Sequence, residues 1–167
     1  MASSSQTDND RILQLVGAIV LTGQDVERYL KAILPFTDAK DPSLGAVIRR
    51  QDKLTRRPLG ELAGKLLEAS TSDSVGFAEH LAKLVDARNR VVHHFNEAYG
   101  AKFAAGQTRE IASSLESVLL NLKAFRASLE QVALALFEAL RDVMYRGTPE
   151  YQQMAALCAS FRARVVS

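Results

Sequence analysis

Ten residues near the middle of the chain, DARNRVVHHF from Asp86 to Phe95, place two arginines, an asparagine and two histidines inside a helical pattern with apolar residues. Imidazole has a reference pKa of about 6.5, so it takes up and releases protons near neutral pH. A guanidinium binds phosphate through a planar set of donors. Arg88, His93 and His94 therefore supply the groups that could bind a phosphodiester and move a proton beside it.

Helical spacing decides which of these side chains share a face. Asn89 and His93 are one turn apart, so the asparagine is placed to orient the imidazole, and Glu97 continues that face and is placed to bias its tautomer. Arg88 and His93 are five residues apart, about 140° around an ideal helix. They converge only if the arginine wraps around, if the helix distorts, or if two copies meet across an interface.

Arg88 stands where the helical pattern requires an apolar residue. Its neighbours at three and four residues are all aliphatic: Leu84, Val85, Val91 and Val92. A desolvated guanidinium without a partner is strongly unfavourable, so we expect an anion from an acid on another helix, a second subunit or a bound phosphate. A structural ion pair and two solvated surface histidines are the alternative interpretation.

The two histidines differ in their predicted neighbours. His94 follows Arg90 by one turn, and a like charge is a poor neighbour for a base that must become imidazolium. We therefore favour His93 as the main base and treat His94 as secondary. His80 lies off the apolar stripe and is assigned no role.

The sequence predicts an all-α bundle that positions this motif. Apolar residues recur at alternating steps of three and four, and strand-like alternation appears nowhere. A first stripe covers 12–33 and ends at Pro35. The motif helix is predicted over 74–99, with Gly100 placed to stop it.

The longest apolar pattern covers 111–140 and is followed by a final short helix after Pro149. A helix of that length outruns a compact bundle, so we expect it to kink or to offer a surface to a second subunit. Residues 1–8 are small and polar and are predicted to be disordered, whereas 9–167 are predicted to form a single all-α domain.

Composition limits the compartment and the cofactors. The single cysteine, Cys158, has apolar neighbours that predict a buried thiol, and the chain has no Cys/His spacing for zinc. We expect a cytoplasmic protein without a metal or other cofactor. No apolar run approaches the ~20 residues needed to span a bilayer, so no membrane contact is predicted.

The positive charge is unevenly distributed. Lysine and arginine number 21 against 19 acids, but RRQDKLTRR, residues 49–57, carries five cations and one acid. Such a cluster can meet phosphates locally even on a near-neutral protein, although a solvated face is the alternative. The candidate RNA contacts are Arg49, Arg50, Lys53, Arg56 and Arg57.

The order Arg88-Asn89-x-x-x-His93, late in a helix of a small all-α bundle, resembles the signature of the HEPN superfamily (higher eukaryotes and prokaryotes nucleotide-binding domain). Many members are metal-independent endoribonucleases in toxin–antitoxin, phage-defence and RNA-processing systems. The resemblance covers about 10–125 as a helix pattern and implies a HEPN-like bundle. It implies that Arg88 and His93 are catalytic, that Asn89 positions them, and that His94 satisfies a looser spacing.

The resemblance also implies how such a protein would act. Two motif helices would meet in a homodimer with a composite active site, and a hydrolase of this kind would cleave RNA by 2′-hydroxyl attack as a toxin or phage-defence effector. A cognate antitoxin protein is an implied partner. Two alternatives stay open: a non-catalytic HEPN-like module that binds a protein, nucleotide or RNA, and a plain helical adaptor in which Arg88 forms a buried ion pair.

Overall fold

A computed structural model describes residues 2–37, 41, 43–69 and 75–165. This part of the chain forms seven α-helices and no strand, which confirms the predicted all-α class. None of its helices is long and apolar enough to cross a membrane. The helices are α1 (Ala2–Ile33), α2 (Leu44–Leu54), α3 (Leu59–Ala69), α4 (Val75–His93), α5 (Phe95–Ala104), α6 (Thr108–Ala139) and α7 (Tyr151–Val165), with a 3₁₀ turn (Leu34–Phe36) after α1 and a π turn (Leu140–Met144) after α6.

Two helices of equal length, α1 and α6, form the centre of the fold. Each has 32 residues, or about 48 Å at 1.5 Å per residue. Each contributes buried apolar residues to the core, and Tyr29 on α1 donates a hydrogen bond of 2.5 Å to Glu130 on α6. Because α1 covers the long helix inside one chain, the length of α6 does not require a second subunit.

The first helix begins earlier than predicted. It includes residues 2–8, which the sequence analysis assigned to a disordered segment. Two polar contacts bind its first turns to α6: Thr108 Oγ1 donates to Asp8 at 3.0 Å, and Arg11 pairs with Glu116. Because the segment contains no glycine or proline, nothing in it opposes continuation of the helix.

The motif helix ends earlier than predicted. His94 leaves the helical conformation, with φ −128° and ψ 32°, so α4 stops at His93 and α5 starts at Phe95. Gly100 does not stop a helix, because α5 continues through it to Ala104. The stop lies at Gly106, whose φ of +70° is a conformation that glycine adopts at little cost. The two histidines therefore belong to different helices.

Candidate active site

Arg88 is mostly buried between α4 and α1, with 11% of its side chain exposed. Its Nη2 donates to Glu27 Oε1 at 3.2 Å, and its Nη1 donates to Asn89 Oδ1 at 3.1 Å. Its Nε is buried and has no hydrogen-bond partner in the described structure. Glu27 on α1 is thus the anion that pairs with Arg88, and it corresponds to the expected acid on another helix.

Gly23 makes room for this arginine on α1. A Cβ atom at Gly23 would lie 3.2 Å from Arg88 Nε and 3.6 Å from its Cγ. Glu27 follows Gly23 by one helical turn, so the two residues form a seat for the side chain and its charge. The burial of Arg88 therefore depends on α1 as well as on the motif helix.

Arg88 and His93 meet within a single chain. Arg88 Nη1 lies 3.3 Å from His93 Nε2. Of the three routes to convergence, the arginine wraps around α4 toward the exposed imidazole at the last residue of the helix. Arginine can only donate, so in this contact Nε2 of His93 is the acceptor.

Glu97 contacts His94 rather than His93. Its Oε2 lies 3.0 Å from His94 Nδ1, in contrast to the predicted role beside His93. The prediction was wrong because the break at His94 ends the helical face that Asn89, His93 and Glu97 were expected to share. Asn89 likewise contacts Arg88 rather than the imidazole it was predicted to orient.

The environment of His94 also differs from the prediction. Arg90 pairs with Asp86 at 3.2 Å, so its charge is partly balanced one turn back along α4. The carboxylate of Glu97 accepts the Nδ1 hydrogen of His94, which leaves Nε2 facing outward from the pair. The centroids of the two imidazole rings are 6.4 Å apart. Both rings are exposed and can reach one ligand.

An apolar groove of about 850 Å³ lies beside this cluster, between α1 and the α4–α5 junction. We define it by Leu13, Val16, Val92, Phe95 and Phe103, which line it. Leu13 has 70% of its surface exposed and Phe103 has 43%. Exposed apolar side chains gathered in one place are a feature of interaction sites.

The predicted RNA-contacting run lies on α2 and the turn that follows it. Arg50 donates to the carbonyl oxygens of Pro35 and Asp41, both at 2.7 Å, and so holds the connection between α1 and α2. Arg57 pairs with Glu61 at 2.8 Å, and Arg49 with Asp41 at 3.8 Å.

Lys53 and Arg56 make no ion pair with any described residue. The run is therefore not a uniform row of available cations. At least one of its arginines, Arg50, has a structural role.

Sequence reasoning missed Gly23 and Glu27. Gly23 lies within the apolar stripe over 12–33. A glycine at an inward-facing position of a helix indicates that a large side chain from another element packs there. Glu27 follows the buried Val26, and a carboxylate beside an inward-facing position is the available signal for a buried ion pair. Neither signal identifies Arg88 as the partner, because the pair is separated by 61 residues.

The described residues contain no group of three or more His, Cys, Asp or Glu side chains placed to hold a metal ion. No protein-family model, curated protein or solved structure matches the chain. The resemblance to the HEPN superfamily stays a prediction from the motif Arg88-Asn89-x-x-x-His93.

Proposed function

We propose that this protein is a metal-independent endoribonuclease of the HEPN type. The observation that supports the proposal best is the contact between Arg88 and His93, 3.3 Å apart in one chain, with His94 and Glu97 next to them. A phosphate-binding cation thus lies within hydrogen-bond distance of a group that accepts protons.

The hydrogen-bond partners suggest a division of work between the histidines. We assign His93 the role of base, because its Nε2 lone pair becomes available to a 2′-hydroxyl once Arg88 turns from it to the substrate phosphate, whose charge also offsets that of the imidazolium. His94 holds its Nδ1 hydrogen against Glu97, whose charge balances an imidazolium, so it serves as the acid. The sequence predicts a secondary role for His94, and its contact with Glu97 is the observation that favours a role of its own.

Cleavage would follow from these positions. His93 takes the proton of a ribose 2′-hydroxyl, whose oxygen forms a bond to the adjacent phosphorus. The bond from phosphorus to the 5′-oxygen breaks, and His94 gives that oxygen a proton. The products carry a 2′,3′-cyclic phosphate and a 5′-hydroxyl. Each proton transfer of this kind contributes about 10²–10⁴-fold.

Arg88 would stabilise the charge that builds up on the phosphoryl oxygens. For this, its guanidinium has to exchange a present partner for the substrate. Glu27, Asn89 and His93 surround its two terminal nitrogens. Asn89 keeps Nη1 next to the histidine and so acts as a positioning residue.

The assembly and the biological role belong to the same proposal. The apolar groove lies beside the motif and supports a homodimer in which two sites adjoin. Action as a toxin or phage-defence effector, with a cognate antitoxin protein as partner, rests on the HEPN resemblance. RNA is the proposed substrate.

The contact between Arg88 and Glu27 favours a second candidate, a non-catalytic helical module in which the arginine is structural. Arg88→Lys separates the two functions. Lysine keeps the charge near Glu27 but lacks the planar set of donors. A structural role predicts that the wild type does not cleave RNA and that the variant keeps most of its stability. A catalytic role predicts that the wild type cleaves RNA and that the variant loses cleavage with the fold retained.

The test is incubation of the pure protein with RNA in EDTA, followed by analysis of the product ends. We expect cyclic phosphate and 5′-hydroxyl ends from the wild type, no cleavage by His93→Ala, and a reduction of about 10²-fold or more for His94→Ala. The His93→Ala protein, purified in parallel, reveals any contaminating nuclease. Intact RNA with the wild type, or equal cleavage by both variants and the wild type, would contradict the proposal.

A further inference from the structure

A second groove, of about 920 Å³, opens between α4 and α6 on the other side of the motif helix. We call it the α4–α6 groove. Two polar stripes line it. On α4 the stripe is His80, Lys83 and Arg90, with Ala87 between them, and on α6 it includes Ser113, Ser117 and Asn121. Helices that pack closely bury apolar stripes against each other, so facing polar stripes leave a space suited to a polar ligand.

The cations that line the groove can bind a phosphate at a small cost in free energy. Lys83 pairs with Glu79 at 3.8 Å and Arg90 with Asp86 at 3.2 Å, both between exposed side chains one turn apart. Such surface pairs contribute about 0–1 kcal/mol, so a phosphate can replace the carboxylate. Arg109 is exposed and has no ion pair among the residues that the structure describes.

The acid that lines the groove has a cationic partner of its own, as Lys83 and Arg90 have acidic ones. Glu110 lines it, but its carboxylate pairs with Lys102 at 3.0 Å. Arg109 and Glu110 lie in the first turn of α6, where the free N–H groups of the helix add positive potential. The wall of the groove therefore favours an anion at this end.

The remaining lining fits a nucleotide chain. Hydroxyl and amide groups on α6, together with arginine and lysine, are the usual contacts to phosphate and sugar in nucleic-acid complexes. The floor is apolar, formed by Leu84 and Val118, and an unpaired base could lie on it. From Arg109 to Asn121 the stripe on α6 extends about 18 Å.

We propose that the α4–α6 groove binds the phosphate backbone of a single RNA strand. The choice of RNA rests on the proposed function, because the groove and the candidate active site share α4. Arg90 lies in its last turn together with His93, and Tyr99 on α5 bonds to Ser114 on the groove wall at 3.2 Å. The groove thus guides the substrate strand to the two histidines.

The test uses a labelled, fully 2′-O-methylated RNA oligonucleotide, which cannot be cleaved by 2′-hydroxyl attack. Its affinity is measured by fluorescence anisotropy over a series of salt concentrations, with wild type and Lys83→Glu/Arg109→Glu. We expect the variant to bind at least tenfold more weakly. The slope of log affinity against log salt should fall by about 1.4, because two phosphate contacts are lost at about 0.7 each.

The matched control is Arg28→Glu/Lys123→Glu. Arg28 has an acid one turn away on its helix, as Lys83 has, and Lys123 is exposed without a described ion pair, as Arg109 is. This control changes the net charge equally and should keep its affinity within twofold. Ser117→Phe, which fills the groove without a change of charge, should also weaken binding.

Three results would overturn the inference: no binding by the wild type, equal losses in the two double variants, or full binding by both Lys83→Glu/Arg109→Glu and Ser117→Phe. Cleavage of ordinary RNA is measured separately. If RNA is cleaved but the groove variants bind normally, the groove inference fails and the nuclease stands. If the groove variants lose binding but RNA stays intact, the groove stands and the nuclease fails.

Discussion

The carboxylate of Glu27 lies 3.2 Å from Nη2 of Arg88, and the two side chains are only 19% and 11% exposed. Removal of one partner from a buried pair leaves an uncompensated charge, at a cost of about 3–5 kcal/mol when burial is complete. Because both groups retain some solvent contact, we expect Glu27→Gln to lower the free energy of unfolding by about 2–3 kcal/mol. Urea unfolding measures this change.

Asp86→Asn is the control for that variant. Asp86 pairs with Arg90 at the same distance of 3.2 Å, but both of these side chains are more than half exposed. Its loss should lower the stability by less than about 1 kcal/mol. Equal stability losses in the two variants would show that the Glu27 pair is no more than a surface contact.

Gly23 is expected to respond to substitution differently from Gly17 on the same helix. A Cβ atom at Gly17 has nothing within 4 Å, so Gly17→Ala should stabilise α1 by about 1 kcal/mol through helix propensity. A Cβ atom at Gly23 meets Arg88 Nε at 3.2 Å, so Gly23→Ala should lose that gain and displace the arginine.

Thermal unfolding and RNA cleavage of the two alanine variants check this prediction. Gly17→Ala should melt higher than the wild type and cleave normally, whereas Gly23→Ala should melt lower than Gly17→Ala and cleave more slowly. If both variants gain stability equally and keep their activity, Arg88 does not depend on the space at Gly23.

We expect the free energy of unfolding to fall at alkaline pH, because Tyr29 ionises there. Burial raises the pKa of Tyr29, and its hydrogen bond to Glu130 raises it further. A raised pKa in the folded state gives stability that is fully present below the unfolded pKa of about 10 and is lost as pH rises through the folded value. Tyr29→Phe should therefore flatten the decline of unfolding free energy as pH rises above about 10.

Part of the alkaline decline should remain in Tyr29→Phe, because burial also raises the pKa of Tyr145. The double variant with Tyr145→Phe should flatten the curve further. Near neutral pH, Tyr29→Phe should be less stable than the wild type, since the buried Glu130 loses a donor. Parallel pH profiles for the wild type and the double variant would contradict this account.

A homodimer formed through the apolar groove predicts a mass of twice 18.3 kDa by light scattering. Leu13→Asp places a charge in the groove and should give monomers. Leu120→Asp is the control, because Leu120 is exposed to a similar extent, 67% against 70%, but lies outside the groove. A monomeric wild type at tens of micromolar, or equal dissociation of both variants, would count against this interface.

The helical class and the main stripes could be predicted because they depend on local periodicity. Ile12, Ile19, Val26 and Leu30 are buried as the first stripe requires, and the predicted buried thiol of Cys158 is 1% exposed. The burial of Arg88 was also visible in its aliphatic neighbours. These features are set by residues within a few turns of one another.

The details of the site could not be predicted, because they depend on tertiary contacts. No glycine or proline in the sequence indicates the break at His94. Because of that break, Glu97 contacts His94 and not His93. The acid that pairs with Arg88 comes from α1, and periodicity in α4 carries no information about it. The contact between Arg88 and His93 also could not be predicted, because it depends on the conformation of the long arginine side chain.

The pairing of α1 with α6 has a consequence for how the chain folds. Asp8 meets Thr108, Arg11 meets Glu116 and Tyr29 meets Glu130, at sequence separations of 100, 105 and 101 residues. Contacts this distant raise the contact order above that of bundles built from adjacent helical hairpins, and the closure of so long a loop costs entropy before the core repays it. We therefore expect slow folding for an all-α protein, with the apolar stripe of α1 exposed on the ribosome until α6 has been synthesised.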